Sequence, residues 1–118
     1  DVLEMFVAAS NNTLKEYQLT IDANYATTVM MVSQGYPEDY EKGKLITGNA
    51  TGEGIFHAGT AMQNGNLITN GGRVIAATGM APTLQAALQL SYEAVVKIQY
   101  ENKYYRKDIG QDLMGFLK

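Results

Sequence analysis

Asn64-Gly65, set between the apolar-rich runs Ile55–Met62 and Asn66–Thr69, constrains the fold of this chain more than any other feature. Both central residues of a two-residue type I′ turn need positive φ, which Asn and Gly tolerate. The twist of that turn also matches the twist of paired strands. The pair therefore predicts a hairpin. Asn70-Gly71-Gly72 is a second turn signal, and Arg73–Thr78 follows as another strand. Three strands in series, near 55–62, 66–69 and 73–79, read as an antiparallel β-meander. Pro82-Thr83 then opens the longest helix, over about 83–100. Thr83 suits its N-cap, although Ala86 stands where a capping-box carboxylate would be. Leu84, Leu88, Ser91, Val95 and Ile98 recur at helical spacing, and Ala87 and Tyr92 widen the stripe. The helix is expected to bury Leu84, Leu88, Val95 and Ile98 on the sheet. Glu93 and Lys97 form an i,i+4 pair on its outer face. Strands followed by a helix give an α+β domain: a small antiparallel sheet with one long covering helix.

The flanks are read in the same way. Val2, Leu3, Phe6 and Val7 have helical spacing and stop at Ser10-Asn11-Asn12, so a helix is expected over 1–10. Tyr17–Ile21 alternates and predicts a short strand. The β-branched run Ala26–Ser33 predicts a strand buried on both faces. Gly35 and Pro37 break it. Glu38-Asp39 after Pro37 predicts the first turn of a short helix closed by Gly43, with a short strand at Lys44–Thr47. A last short helix is expected over Gln111–Leu117. The chain starts at Asp1 on residues that look like the end of a helix, as a piece of a longer or processed protein would.

Composition removes several function classes. The 118 residues suit one domain, and 46% apolar with 18% charged residues is ordinary for a globular one. The net charge of −3 argues against a phosphate-backbone binder, so no nucleic-acid partner is expected. No apolar run approaches the ~20 residues that cross a bilayer, so no membrane role is expected. Without Cys there are no disulfides and no thiolate-held zinc. The lack of Cys suits a reducing compartment, and no signal-peptide pattern leads the chain, so a cytoplasmic setting is expected. The single histidine, His57, rules out a His-rich metal site, and no G-x-S-x-G elbow offers it a serine.

Two segments carry candidate chemistry. In Asn70-Gly71-Gly72-Arg73 the glycines open the backbone to another molecule, and Arg73 brings a planar fork suited to carboxylate or phosphate. A plain hairpin turn with a surface arginine has the same residues. Gly35–Lys42 gathers Tyr36, Tyr40, Glu38, Asp39, Glu41 and Lys42 at a strand break, where loops often carry function. A solvated turn with ion pairs reads the same way. Neighbouring Glu38, Asp39 and Glu41 point apart and lack both the geometry of an acid–base pair and the EF-hand ligand pattern. His57, inside an apolar strand, reads as a hydrogen-bonded structural residue. Gly48–Gly54 lacks the Lys-Ser/Thr of a P-loop, and Asn49-Ala50-Thr51 is a chance glycosylation match. Arg106 and Asp108 could pair with each other or face a ligand.

The residue strings go further. Ser33–Gly43 (SQGYPEDYEKG), Phe56–Thr60 (FHAGT), Thr69–Val74 (TNGGRV) and Tyr104–Gly110 (YYRKDIG) occur in the order of the motifs of phosphoribosylamine–glycine ligases, also called glycinamide ribonucleotide synthetases. The resemblance covers about residues 1–112.

That family is one of ATP-grasp ligases. The resemblance implies an enzyme that joins glycine to 5-phosphoribosylamine, with cleavage of ATP to ADP and phosphate, and with Mg²⁺ or Mn²⁺ on the nucleotide. It implies that residues 1–24 are the end of the ATP-grasp region. Residues 25–118 would then be the C-terminal domain, which resembles that of biotin carboxylase. The ATP-binding lysines and acidic metal ligands would lie upstream, so the chain alone is expected to hold neither catalytic residues nor a metal or cofactor. Its partners would be the missing N-terminal and ATP-grasp domains, and its end at Lys118 suits an unfused enzyme. Asn70, Gly71, Gly72 and Arg73, with Tyr36, Asp39 and Lys42, would line the acceptor site. A stand-alone small-molecule binding or interaction module that reuses the fold is the alternative.

Overall fold

The computed structural model describes residues 1–116. Helix α1 spans Val2–Ser10, and the Asp1 carboxylate caps it by accepting from the Leu3 amide at 2.8 Å. The helix buries none of its own residues. After a single 3-10 turn at Leu14–Glu16 the chain runs to β1, Tyr25–Ser33. The strand expected at Tyr17–Ile21 is absent, and Leu19 and Ile21 are exposed. Alternation can orient side chains, but a strand also needs a neighbour, and no described strand runs beside this segment.

β1 is also not buried on both faces. Thr27, Val29, Met31 and Ser33 are buried, whereas Thr28 is exposed and Met30 and Val32 are half-buried. One face of the sheet is covered and the other is open.

The turn ends at Pro37, and the segment after it bends at Glu38-Asp39 and runs irregularly instead of forming a helix. Its backbone donors go elsewhere: the Gly43 amide reaches Thr69 O at 2.7 Å, and the Lys44 amide reaches the Thr69 hydroxyl at 3.0 Å. Where a strand was expected at Lys44–Thr47, Leu45 bridges Ile68 and a two-residue β2 covers Thr47–Gly48.

The meander is replaced by a different pairing. The expected strand 55–62 breaks at Ala58-Gly59 into β3, Ile55–His57, and β4, Thr60–Gln63. β4 pairs with β5, Asn66–Thr69, through Asn64 and Gly65 at φ 52° and 78°, the expected left-handed pair. β5 does not pair with β6, Arg73–Ala81. β6 instead takes β3 on one edge and β1 on the other, so no edge remains for β5. The four-stranded sheet runs β3-β6-β1-β8, where β8 is Lys103–Tyr104. The break has a cause. The amides of Ala58 and Gly59 both turn onto Val74 O, at 3.0 and 3.2 Å, which swings the chain off the sheet.

Helix α2, Leu84–Lys97, covers the buried face, and Thr83 caps it by accepting from the Ala86 amide at 3.2 Å. Leu84 and Val95 are buried as expected, Ala87 is buried beside them, and Leu88, expected to be buried, is only half-buried. Ile98 is fully buried too, but as the first residue of β7, Ile98–Gln99, which pairs with β2. The helix ends where Ile98 turns extended, at φ −108° and ψ 129°, and pairs with Gly48, and Lys103 Nζ donates to the carbonyls of Val95 and Ile98 at 3.1 and 2.7 Å. Glu93 accepts from Gln89 at 2.9 Å and forms no ion pair with Lys97. Between helix and sheet, Ser91 bonds Thr27 and Ala87 and accepts from the Gly79 amide. Of the last expected helix only a 3-10 turn at Gln111–Leu113 is present, and Leu117 lies outside the described residues.

Candidate functional site

The two candidate segments meet. Ser33, the last residue of β1, donates through its amide to Gly72 O at 2.8 Å and through its hydroxyl to Gly71 O at 3.1 Å. The loop beginning at Gln34 is thereby held against the turn that leads into β6. The Tyr36 ring then packs against Gly72: a Cβ there would be 2.0 Å from the ring's Cδ2. On the other side Gly59 closes in. A Cβ on Gly59 would be 2.4 Å from Arg73 O and 2.7 Å from the Gly71 Cα, and Asn70 donates to Gly59 O at 2.7 Å. Gly59 and Gly71, from two motifs, therefore pack backbone to backbone, and Gly72 packs against the Tyr36 ring, approaches that side chains would prevent.

Arg73 emerges from this platform at the start of β6. Its position opposite Val32, which in turn faces Tyr104, puts it on the open face of the sheet. Among the described residues its guanidinium has no hydrogen-bond or ion-pair partner, and the Asn70 side chain has none either. Arg106 is different. Its Nε and Nη2 grip the two oxygens of Asp108 at 2.9 and 2.7 Å. Mutual hydrogen bonding holds the Asp108 carboxyl below, and the Arg106 guanidinium above, their ordinary ranges. Of the two arginines, only Arg73 presents a free fork.

The remaining candidates are less convergent. Tyr36 meets Tyr40 edge to face at 6.0 Å, and Lys42 Nζ stands 6.0 Å from the Tyr40 ring centroid. Lys42 thus joins the loop but has no recorded contact with the turn. Asp39 lines a separate small cleft beside Lys44, which bridges Glu41 at 2.7 Å and Glu101 at 3.2 Å. The hydrogen bond to Glu41 is the main cause of Lys44's raised pKa and, in return, of Glu41's lowered one. His57 is a strut: Nε2 donates to Ala50 O at 2.9 Å, which leaves Nδ1 to accept from the Thr60 hydroxyl at 3.0 Å. Among the described residues no three His, Cys, Asp or Glu side chains converge to hold a metal ion.

One neighbour was invisible in the sequence. An apolar groove of about 230 Å³ runs beside Tyr36, lined by Met30, Val32, Tyr104, Tyr105 and Ile109, with Arg106 at its rim. The YYRKDIG string marked its far wall, but nothing in the string reveals that Tyr104 pairs with Val32.

Residues 26–112 match the family described as phosphoribosylglycinamide synthetase, C domain. The chain belongs to that family. Its C-domain fold is also that of a solved phosphoribosylamine–glycine ligase from Thermotoga maritima, with a TM-score of 0.74 and 37% identity over 89% of this chain and 27% of the other. The bifunctional purine biosynthetic protein ADE1 of Schizosaccharomyces pombe is 38% identical over 98% of this chain and 15% of its own length. The phosphoribosylamine–glycine ligase of Pseudomonas aeruginosa is 39% identical over 87% of this chain and 25% of its own. The chain therefore spans about a quarter or less of the curated relatives it matches. These C-domain relatives are multidomain enzymes, and no described helix of this chain is long and apolar enough to cross a membrane.

Proposed function

We propose that this chain is the C-terminal part of a cytoplasmic ligase that joins glycine to 5-phosphoribosylamine to give glycinamide ribonucleotide, ADP and phosphate, in purine biosynthesis. One observation carries the reading: a partnerless arginine fork on a glycine platform roofed by Tyr36, built from the residues that resemble the family's motifs. Glycine brings a carboxylate and phosphoribosylamine a phosphate, and a guanidinium can grip either through two parallel hydrogen bonds. Holding an acceptor still converts an encounter into a positioned reaction, which is the work a wall of this kind can do. Asn70 precedes the two glycines with its side chain available, Tyr36 packs on the turn, and Lys42 and Asp39, which lie away from the turn, would reach the acceptor only as it enters. Residues 1–24 belong, in this reading, to the end of the ATP-grasp region, and residues 25–118 form the C-terminal domain. In this reading ATP and Mg²⁺ or Mn²⁺ would be held by the rest of the enzyme.

The test is made on the full enzyme and on the 118 residues side by side. The full enzyme should cleave ATP only when both glycine and phosphoribosylamine are present. Calorimetry should detect no micromolar Mg-ATP binding by the 118 residues alone. ATP cleavage indifferent to glycine would refute the reaction, and tight nucleotide binding by the short chain would refute the division of labour. The other class of reading, a stand-alone binding module, predicts that the 118 residues bind a small anion with no further polypeptide.

A further inference from the structure

We propose that a β-bulge at Val74, fastened by Ser33, is the device that aims Arg73 at the acceptor, with Ser33 as its positioning residue. This rests on the reading that Arg73 grips the acceptor of a longer ligase.

The register of β1 on β6 slips by one residue next to the arginine. Met31 faces Ile75, but Val32 faces Arg73, so Val74 has no partner on β1. Burial marks the same slip. Val74 and Ile75 are neighbours in sequence and both are 0% exposed, whereas a regular strand would turn one of them outward. Because side chains alternate between faces, one extra residue decides where the residue before it points. On an unslipped ladder Val32 would face Val74, and Ser33 would face Arg73. Ser33 lies on the covered face, buried in line with Thr27, Val29 and Met31. The guanidinium would then be directed into the packed side of the sheet, where a charge without a partner is strongly disfavoured. With the bulge, Arg73 is exposed on the open face in one row with Val32 and Tyr104. Re-aiming a side chain next to a functional site is a recurrent use of such bulges.

The bulge is fastened from both sides. Toward β3, the Val74 carbonyl accepts from the Ala58 and Gly59 amides, so the extra residue's acceptor is satisfied. Toward β1, the ladder with β6 ends at Val32, and Ser33 takes the turn instead. Its amide and its hydroxyl hold the carbonyls of Gly72 and Gly71, the two that precede Arg73. Its own carbonyl accepts from the Tyr36 amide at 3.1 Å. One residue therefore fixes the backbone that launches the arginine and starts the loop that brings Tyr36 over. Of these bonds only the one from the hydroxyl comes from a side chain, so a substitution can remove it and leave the backbone bonds in place. A fork that meets a carboxylate or phosphate through two parallel hydrogen bonds depends on direction, and a misplacement of about 1 Å can cost about 100-fold in rate. Ser91 offers the contrast. It is a buried serine too, but its bonds to Thr27, Gly79 and Ala87 lie between helix and sheet and do not touch residues 70–73.

The experiment is a double-mutant cycle in the full-length enzyme: Ser33→Ala, Arg73→Ala and the two together, with Ser91→Ala as a control. The kcat/KM for glycine and for phosphoribosylamine, the KM for ATP and the melting temperature are read on the same preparations. Positioning predicts that Ser33→Ala lowers kcat/KM by about 5- to 30-fold for the same acceptor that Arg73→Ala affects, and leaves the KM for ATP unchanged. In the Arg73→Ala background it should cost less than about 2-fold more, because the group it aims is gone. Ser91→Ala should melt earlier with normal acceptor kinetics. A Ser33→Ala enzyme that also melts earlier with normal acceptor kinetics would overturn the proposal, since the serine would then only brace the fold. An equal fold-loss with and without Arg73 would overturn it as well, since Ser33 would then act on something else. In both cases a slow Arg73→Ala enzyme leaves the proposed function standing. Normal acceptor kinetics in Arg73→Ala alone would instead overturn the reading of the site, and the positioning role with it.

Discussion

Gly72→Ala tests whether the Tyr36 ring really roofs the turn. The backbone does not forbid alanine there, because Gly72 lies outside the left-handed region. The obstacle is the ring, whose Cδ2, Cε2 and Cγ would be 2.0, 2.6 and 2.8 Å from the new Cβ. Carbon contacts are comfortable at roughly 3.5–4.0 Å, so the ring must retreat by about 1.5–2 Å. That displacement disrupts the edge-to-face pair with Tyr40, a contact of about 0.5–1.5 kcal/mol. Overpacking of this kind costs about 1–3 kcal/mol in all. With the ring removed, the sign should reverse. In a Tyr36→Ala background, Gly72→Ala should be neutral or stabilise by about 0.4–1 kcal/mol, because alanine restricts the unfolded chain. The predicted coupling is therefore about 1 kcal/mol or more, a factor of about five or more in the folding constant. Urea midpoints of the wild-type chain, both single variants and the double, read with a shared m-value, give the cycle. An equal cost in both backgrounds would refute the roof, since something other than Tyr36 would then be filling the space.

Other outcomes follow from the packing. Ser91→Ala removes the hydroxyl that receives the Gly79 amide and bonds Thr27, leaving buried polar groups unpaired, and should lower stability by about 1–3 kcal/mol in the same denaturation assay. Burial raises the Tyr100 pKa above its ordinary value near 10, while its hydroxyl donates to Val32 O at 3.0 Å. The unfolded chain therefore loses this proton first as pH rises. Stability should fall from about pH 10 upward, and the fall should be shallower in Tyr100→Phe than in wild type, read as urea midpoints against pH.

What the sequence could and could not reveal divides along physical lines. Local chemistry was legible. Asn64-Gly65 needs positive φ at two residues and has it, and Thr83 caps the helix it was expected to cap. Pairing partners were not. The order Ile55, Asn66, Arg73 along the chain suggests neighbours in space, yet β6 skips β5 for β3 and β1, because two amides converging on Val74 O turn the chain away at Gly59. Periodicity also could not distinguish the end of a helix from the start of a strand at Ile98, which is buried in either geometry. The candidate site was legible as strings, and the turn and Tyr36 do come together. Asp39, from the same string as Tyr36, lines a separate cleft, since adjacency in a loop does not fix direction.

The central claim rests on Arg73, and the kinetics of Arg73→Ala and Arg73→Lys in the full-length enzyme test it most directly, with melting temperatures taken on the same preparations. Loss of a charge-assisted hydrogen bond of about 1.5–3 kcal/mol predicts a fall of about 10- to 100-fold in kcat/KM for glycine or phosphoribosylamine in Arg73→Ala, with little change in the KM for ATP. Arg73→Lys should recover only part of it, because an ammonium cannot reproduce a planar two-point grip. An Arg73→Ala enzyme that melts earlier yet keeps normal acceptor kinetics would contradict the account, since the arginine would then only brace the turn.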